Sequence, residues 1–209
     1  PQTGNANYGW ILSMVSKLSE NGVAGFILAN GALSAGAEEK QIRKKLIEND
    51  LIEAIITLPR DMFYSTDISV TLWIINKDRK NSTKIKNIRN RNNEILFLDL
   101  RRKGKEFEKY IELSSDEITN VKNIYNNWKS NNSKKKYEDI GEYCYSASIE
   151  EIKKNDYSLI TSEYVKFINK DSNINYDKEM KVIQKDFKDL IKEEENIKNS
   201  LKEAFKKLG

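Results

Sequence analysis

Leu58-Pro-Arg-Asp-Met-Phe-Tyr-Ser-Thr-Asp-Ile-Ser-Val-Thr-Leu-Trp-Ile-Ile-Asn-Lys77 reads as the end of one buried strand, a short loop with two adjacent aromatics, and a second buried strand. The first strand spans residues 51–58 (LIEAIITL) and the second 69–76 (SVTLWIIN). So short a connection predicts an antiparallel pair at one edge of a sheet. A Phe63-Tyr64 pair on such a loop suits a flat ligand, of which a nucleobase is the commonest. The same rings would equally close the core beneath the loop.

Upstream, residues 5–20 (NANYGWILSMVSKLSE) place Tyr8, Ile11, Leu12, Val15 and Leu18 at helical spacing, and Asn21-Gly22 stops the helix. Asn5 and Asn7 are candidate caps, and Trp10 and Trp73 are expected in the core. Residues 23–29 (VAGFILA) are almost wholly apolar, the pattern of a strand covered on both faces. Asn30 and Gly31 follow at its carboxyl end, where open α/β sheets bind ligands; a plain turn is the other reading. A second helix over 37–50 carries Ile42, Leu46 and Ile47 on one face. Strands separated by helices predict a mostly parallel α/β sheet.

Downstream, residues 77–91 (KDRKNSTKIKNIRNR) carry seven Lys or Arg against one acid. Lys77, Arg79, Lys80, Lys84, Lys86, Arg89 and Arg91 are candidate DNA-phosphate contacts if the segment is a mobile loop. The chain is rich in Lys, Asn and Ile throughout, so a solvated loop is the alternative. Residues 94–100 form a further strand. Ser114-Ser-Asp-Glu117 has the form of a capping box opening a helix that runs to Trp128, residues 131–136 read as a solvated linker, and a small helix lies at 149–154. Residues 177–208 are helical. Met180, Ile183, Phe187, Leu190, Glu194, Ile197, Leu201, Ala204 and Leu208 alternate spacings of three and four, a heptad seam with one polar interruption. Burying each large apolar side chain there would contribute about 1.5–3 kcal/mol, so the seam is expected to be covered, either by this chain's own helices in an internal hairpin or by another protein.

The 209 residues suffice for one good core and part of a second. A single cysteine, Cys144, excludes an internal disulfide and a multi-thiolate metal site. The absence of histidine removes His general bases, Ser-His triads and the usual zinc sets. No apolar run approaches a membrane span and the chain does not open with a signal peptide, so a soluble, cytoplasmic protein is expected.

Three groups of words, in order, resemble the modification (methylase) subunit of type I restriction-modification systems, an N6-adenine DNA methyltransferase. They are GNANYGW at 4–10 with GVAGFILANG at 22–31; LPRDMFYST at 58–66 with TLW at 71–73; and LFLD at 96–99, LSSDEI at 113–118, YNNW at 125–128, YSLI at 157–160 and YV at 164–165. The resemblance implies a doubly wound sheet that uses S-adenosylmethionine, then a helical C-terminal region. It implies that Phe63, with Tyr64 second, packs against a flipped adenine, and that the C-terminal helix docks on a specificity subunit; DNA and a restriction subunit are further partners.

The family's glycine-rich cofactor loop and its Asn-Pro-Pro-Phe/Tyr motif do not occur here. The expectation is therefore the C-terminal half of a methyltransferase sheet over 1–100, a mixed and mostly helical connecting region over 101–176, and an assembly helix over 177–209. Such a piece would hold one wall of the adenine pocket, leave strand 23–29 without its usual neighbour, and be inactive alone. The alternative is a non-catalytic assembly or DNA-binding module derived from a methylase.

Overall fold

The structure, a computed structural model, describes residues 6–132, 136–168 and 176–207. It divides into two compact units, Pro1–Phe167 and Ile168–Gly209. The strands of the first are β1 (Val23–Ala29), β2 (Ile52–Thr57), β3 (Val70–Asn76), β4 (Glu94–Asp99), β5 (Lys105–Phe107), β6 (Tyr110–Glu112) and β7 (Cys144–Ser148). Its helices are α1 (Asn7–Lys17), α2 (Ala37–Glu48), α3 (Ser115–Lys129) and α4 (Ile149–Lys154). β5 and β6 form a separate hairpin, and the other strands make one sheet ordered β1-β3-β2-β4-β7.

Alternate residues of the sheet face opposite layers, as a period of two requires. Ile55, Trp73, Ile75, Ile95, Phe97 and Ala147 pack with Tyr8 and Ile11 of α1, Leu46 and Ile47 of α2, and Ile152 of α4. Ala54, Ile56, Leu96 and Leu98 face the other way, against Trp128 of α3. Ser114 and Ser148 each start a helix with a complete capping box, closed by Glu117 and Glu151.

The structure corrects several expectations. β3 does not lie at an edge. It inserts antiparallel between β1 and β2, and since β7 also runs antiparallel to β4, β2 with β4 is the one parallel pair. β1 is an edge strand, alternating between exposed and half-buried positions rather than covered on both faces. Residue 100 is no domain boundary, because α3 and β7 complete the core around β2 and β4. Trp10 is 62 % exposed, being on the outer side of α1, whereas Trp73 is fully buried. Ala6 occupies the N-cap of α1 and no side chain caps that end; Asn7 is already helical, and Asn5 lies outside the described residues.

Residues 77–93 are a built loop, not a free one. Arg79 and Arg91 are buried at the amino ends of β2 and β4. Arg79 pairs with Asp50 at 2.8 Å and donates to the Arg91 and Glu94 carbonyls. Arg91 donates to Glu53 at 3.2 Å, and Tyr125 donates to the same carboxylate oxygen at 3.1 Å. Glu53 is the extra residue where the β2–β3 register shifts, and it is wholly buried. Its carboxylate, after burial itself, pushes the Tyr125 phenol well up. Arg89 pairs with Glu94 and stacks over Trp128, with 5.0 Å between its guanidinium carbon and the ring centroid. Lys77 donates to the Leu18 carbonyl. These four cations serve the fold. Lys80, Lys84 and Lys86 stay exposed.

The second unit contains α5 (Tyr176–Lys207). Met180, Ile183, Phe187, Leu190, Ile197 and Leu201 of the heptad seam are 52–63 % exposed. Glu194, the polar interruption, pairs with Lys198 at 2.6 Å. Leu208 and the Ala204 side chain lie outside the described residues.

Replacing Arg91 with Met strands the Glu53 carboxylate in the interior. The expected loss is about 3–5 kcal/mol of unfolding free energy, read by urea denaturation, against less than about 0.5 kcal/mol for Lys84→Ala.

Acid sensitivity follows from four carboxylates. Burial opposes ionisation of Glu94, but hydrogen bonds from Arg89 and Ser146 overcome it and hold its pKa below 4.5. Backbone N–H groups of Gly104 and Ser114 lower Glu117. Glu151 and Asp78 are lowered in spite of burial, the first by Tyr145 and Ser148 and the second, to about 2, by Thr83 and Ser82. A depressed folded pKa adds stability above the unfolded value and loses it as pH falls through the folded one. Urea midpoints should therefore hold steady down to about pH 5 and fall from there towards pH 2, with Glu94→Gln flattening the slope.

Candidate functional site

The register sets one end of the sheet apart. Ala29 lies opposite Val70, Thr57 opposite Thr71, and Thr57 beside Asp99. The carboxyl ends of β1, β2 and β4 therefore meet, and each releases its chain into a loop there. This is the end at which open α/β sheets bind ligands. The buried arginine network lies at the other end, about 20 Å away along strands of six or seven residues.

Asn30 and Gly31 leave β1 at this end. The Asn30 amide oxygen accepts a hydrogen bond from the Thr71 hydroxyl at 2.5 Å, which fixes the side chain across β1 and β3. A Cβ at Gly31 would meet nothing within 4 Å, so the backbone there borders open space. Both residues line a cavity of about 340 Å³, with Thr57, Arg101 and Thr161 on its other walls. Thr57 and Thr161 join hydroxyls at 2.7 Å. Arg101 is held by Asp99, with its Nη2 2.6 Å from Oδ2, and this pairing raises the guanidinium pKa.

The Phe63-Tyr64 loop leaves β2 at the same end. Leu58 and Ser69 tie its stem: the Leu58 N–H donates to the Val70 carbonyl at 2.9 Å, and the Ser69 hydroxyl donates to the Leu58 carbonyl at 2.8 Å. The Thr66 N–H donates to the Phe63 carbonyl, closing the tip. Phe63 is 37 % exposed and Tyr64 is 90 % exposed, so neither closes the core below. Tyr64 instead meets Tyr110 of β6, with ring centroids 4.8 Å apart, and the Ile111 N–H donates to the Asp61 carbonyl at 2.7 Å. The β5–β6 hairpin thus braces the aromatic loop.

The structure therefore brings Asn30, Gly31, Phe63 and Tyr64 to one end of the sheet and sends residues 77–91 to the other. Thr57, Arg101, Tyr110 and Thr161 were not singled out by the sequence. Arg101 carried a usable signal, being a polar residue just past the end of an apolar strand. Thr161 carried none, because its partner Thr57 is 104 residues away. Among the described residues there is no cluster of potential metal ligands and no helix long and apolar enough to cross a membrane.

Residues 1–173 match the family described as N-6 DNA methylase. The chain is 35 % identical, over 210 aligned positions, to the type I restriction enzyme MjaIX methylase subunit of Methanocaldococcus jannaschii; the match covers all of this chain and 36 % of that protein. It is 34 % identical to the HindI methylase subunit of Haemophilus influenzae, over 79 % of this chain and 35 % of that one. Among solved structures, the methyltransferase subunit of a Streptococcus thermophilus type I restriction-modification system superposes with a TM-score of 0.67 at 28 % identity, covering 80 % of this chain and 32 % of that one. The EcoKI M protein shares the fold, with a TM-score of 0.57 at 15 % identity over 79 % of this chain and 39 % of that one. The chain thus spans about a third of the length of the curated relatives it matches. With the aromatic loop and the carboxyl end of the sheet both inside the matched region, this chain belongs to the N-6 DNA methylase family, with methylase subunits of type I restriction-modification systems among its relatives.

Proposed function

We propose that the chain forms part of the catalytic domain of an adenine-specific DNA methyltransferase in a type I restriction-modification system. Phe63 supplies one wall of the pocket for the flipped adenine, and Tyr64, supported by Tyr110, forms its outer rim. The observation that carries this reading is an exposed aromatic loop, braced from behind, at the end of the sheet where ligands bind. A base pulled from the duplex loses its neighbours, and an aromatic face replaces part of that stacking.

The family implies S-adenosylmethionine as methyl donor. When bound, the cofactor offers an electrophilic methyl on sulfur to the adenine amino nitrogen. The cavity beside Asn30 does not fit it. None of its lining residues is a carboxylate that would accept hydrogen bonds from ribose hydroxyls, and Arg101 would oppose a sulfonium. We assign the cofactor to the complete enzyme and not to this cavity. The Asn-Pro-Pro-Phe/Tyr word that would orient the amino group is likewise not among these residues. The 209-residue chain by itself is expected to transfer no methyl group.

α5 supports a second role, in assembly. Its seam leaves six large apolar side chains more than half exposed, and the relatives are themselves named as subunits. A helix of the specificity subunit is the proposed occupant, with DNA and a restriction subunit completing the complex. A purely non-catalytic assembly module is the alternative that this observation favours.

In the complete subunit, Phe63→Ala should remove stacking of about 1–3 kcal/mol, or roughly 5- to 150-fold in kcat/KM, and should change the fluorescence of 2-aminopurine placed at the target adenine. Wild-type turnover and fluorescence would eliminate the pocket-wall role. Tyr64→Ala should cost less.

A Leu190→Glu, Leu201→Glu double variant should abolish co-purification with the specificity subunit and leave the thermal unfolding of the first unit unchanged. Retained co-purification would remove α5 from the docking surface.

A further inference from the structure

Arg101, Arg102 and Lys103 follow β4 directly, at the same end of the sheet as the aromatic loop. Their turn is fixed. The Lys103 N–H donates to the Leu100 carbonyl at 2.9 Å. Gly104 then adopts φ 88°, and a Cβ there would stand 2.4 Å from Ile111 Cγ2, so glycine is required. The Gly104 N–H donates to Glu117, the capping-box residue of α3. The turn is therefore held between the β5–β6 hairpin and the start of a helix.

The three charges are used differently. Arg101 is committed to Asp99. The Arg102 guanidinium carbon lies 4.6 Å from the centroid of the Phe167 ring, and the Lys103 ammonium 4.8 Å from that of Tyr143. Among the described residues neither cation makes a side-chain hydrogen bond or ion pair, so their N–H donors are unspent while the rings hold them in place. Between them is a cavity of about 350 Å³ lined by Asp99, all three cations, Tyr143 and Phe167. Its other acid is Glu142, and the Glu117 carboxylate interacts with Lys103 from the start of α3. Arg101 also lines the cavity beside Asn30, which makes the two cavities neighbours.

We propose that this second cleft binds a backbone phosphate of the DNA next to the target nucleotide, with Arg102 and Lys103 as its donors. The proposal rests on the DNA-methyltransferase reading, which makes DNA the ligand. A guanidinium and an ammonium with free donors match phosphodiester oxygens. The location also fits, because a strand whose base reaches the aromatic loop passes this end of the sheet. The more conspicuous basic stretch at 77–91 is at the far end, with Arg79 and Arg91 buried.

The test is fluorescence anisotropy of a labelled duplex bearing an abasic site in place of the adenine, titrated with the 209-residue chain over a range of salt. Arg102→Ala with Lys103→Ala should weaken binding about ten-fold or more and flatten the slope of log affinity against log salt by about 0.9 for each phosphate no longer neutralised. Glu142→Gln should tighten binding. The exchange Arg102→Lys with Lys103→Arg should keep the slope, and Lys80→Ala with Lys84→Ala and Lys86→Ala should change little. Unchanged affinity and slope in the Arg102, Lys103 variant, loss confined to the Lys80, Lys84, Lys86 variant, or no binding by the parent chain would each overturn the proposal. Matching thermal midpoints show that every variant folds. The duplex has no target base, so the result is independent of Phe63. An inert Phe63→Ala beside a strong Arg102, Lys103 effect would remove the stacking role and leave the phosphate cleft standing.

Discussion

A carboxylate in the middle of an apolar sheet is the constraint around which the first unit is arranged. Glu53 is wholly buried at the register shift of β2, the most enclosed strand. An ion taken out of water at that depth is tolerated only if it is paired and hydrogen-bonded. Arg91 and Tyr125 both donate to its Oε1, and they come from opposite directions: Arg91 from the loop after β3, Tyr125 from α3. Neighbouring Arg79 fastens the same loop to Asp50. One carboxylate thus draws a loop and a helix onto the amino end of the sheet.

That arrangement gives the sheet two unlike ends. The amino end is closed by ion pairs, with Arg89 continuing the network to Glu94 and Trp128. The carboxyl end is open. There the Asn30 amide, the Thr57 and Thr161 hydroxyls and the basic turn after β4 border two adjoining cavities, and the aromatic pair is on the loop after β2. Inserting β3 between β1 and β2 is what brings the aromatic loop to this end, because its amino terminus lies beside the carboxyl termini of both neighbours. Charge at the amino end maintains the fold, whereas at the carboxyl end Arg101 pairs with Asp99 and Arg102 rests on the Phe167 ring.

α5 obeys a different physics. Its seam is regular and exposed, and its polar interruption is neutralised on the surface by Lys198. A stripe this narrow makes no globular core and suits a partner helix. The catalytic reading belongs to the first unit and the assembly reading to the second.

Local pattern was enough to place β1 to β4, the Ser114 cap, the aromatic loop and the α5 seam, because periodicity and capping act between residues close in the chain. Family words within Leu58–Lys77 and its flanks carried the fold class. Long-range geometry decided the rest. Strand order is not written in any one segment, so β3 reads as an edge strand until its register with β1 is known. Trp10 reads as core until α1 is seen to turn it outward. Most plainly, the arginines of 77–91 and of 101–102 look alike as letters. What separates them is the partner that folding brings to each: Glu53 and Asp50 bury one pair, while the Phe167 ring holds Arg102 at a cleft with its donors unspent.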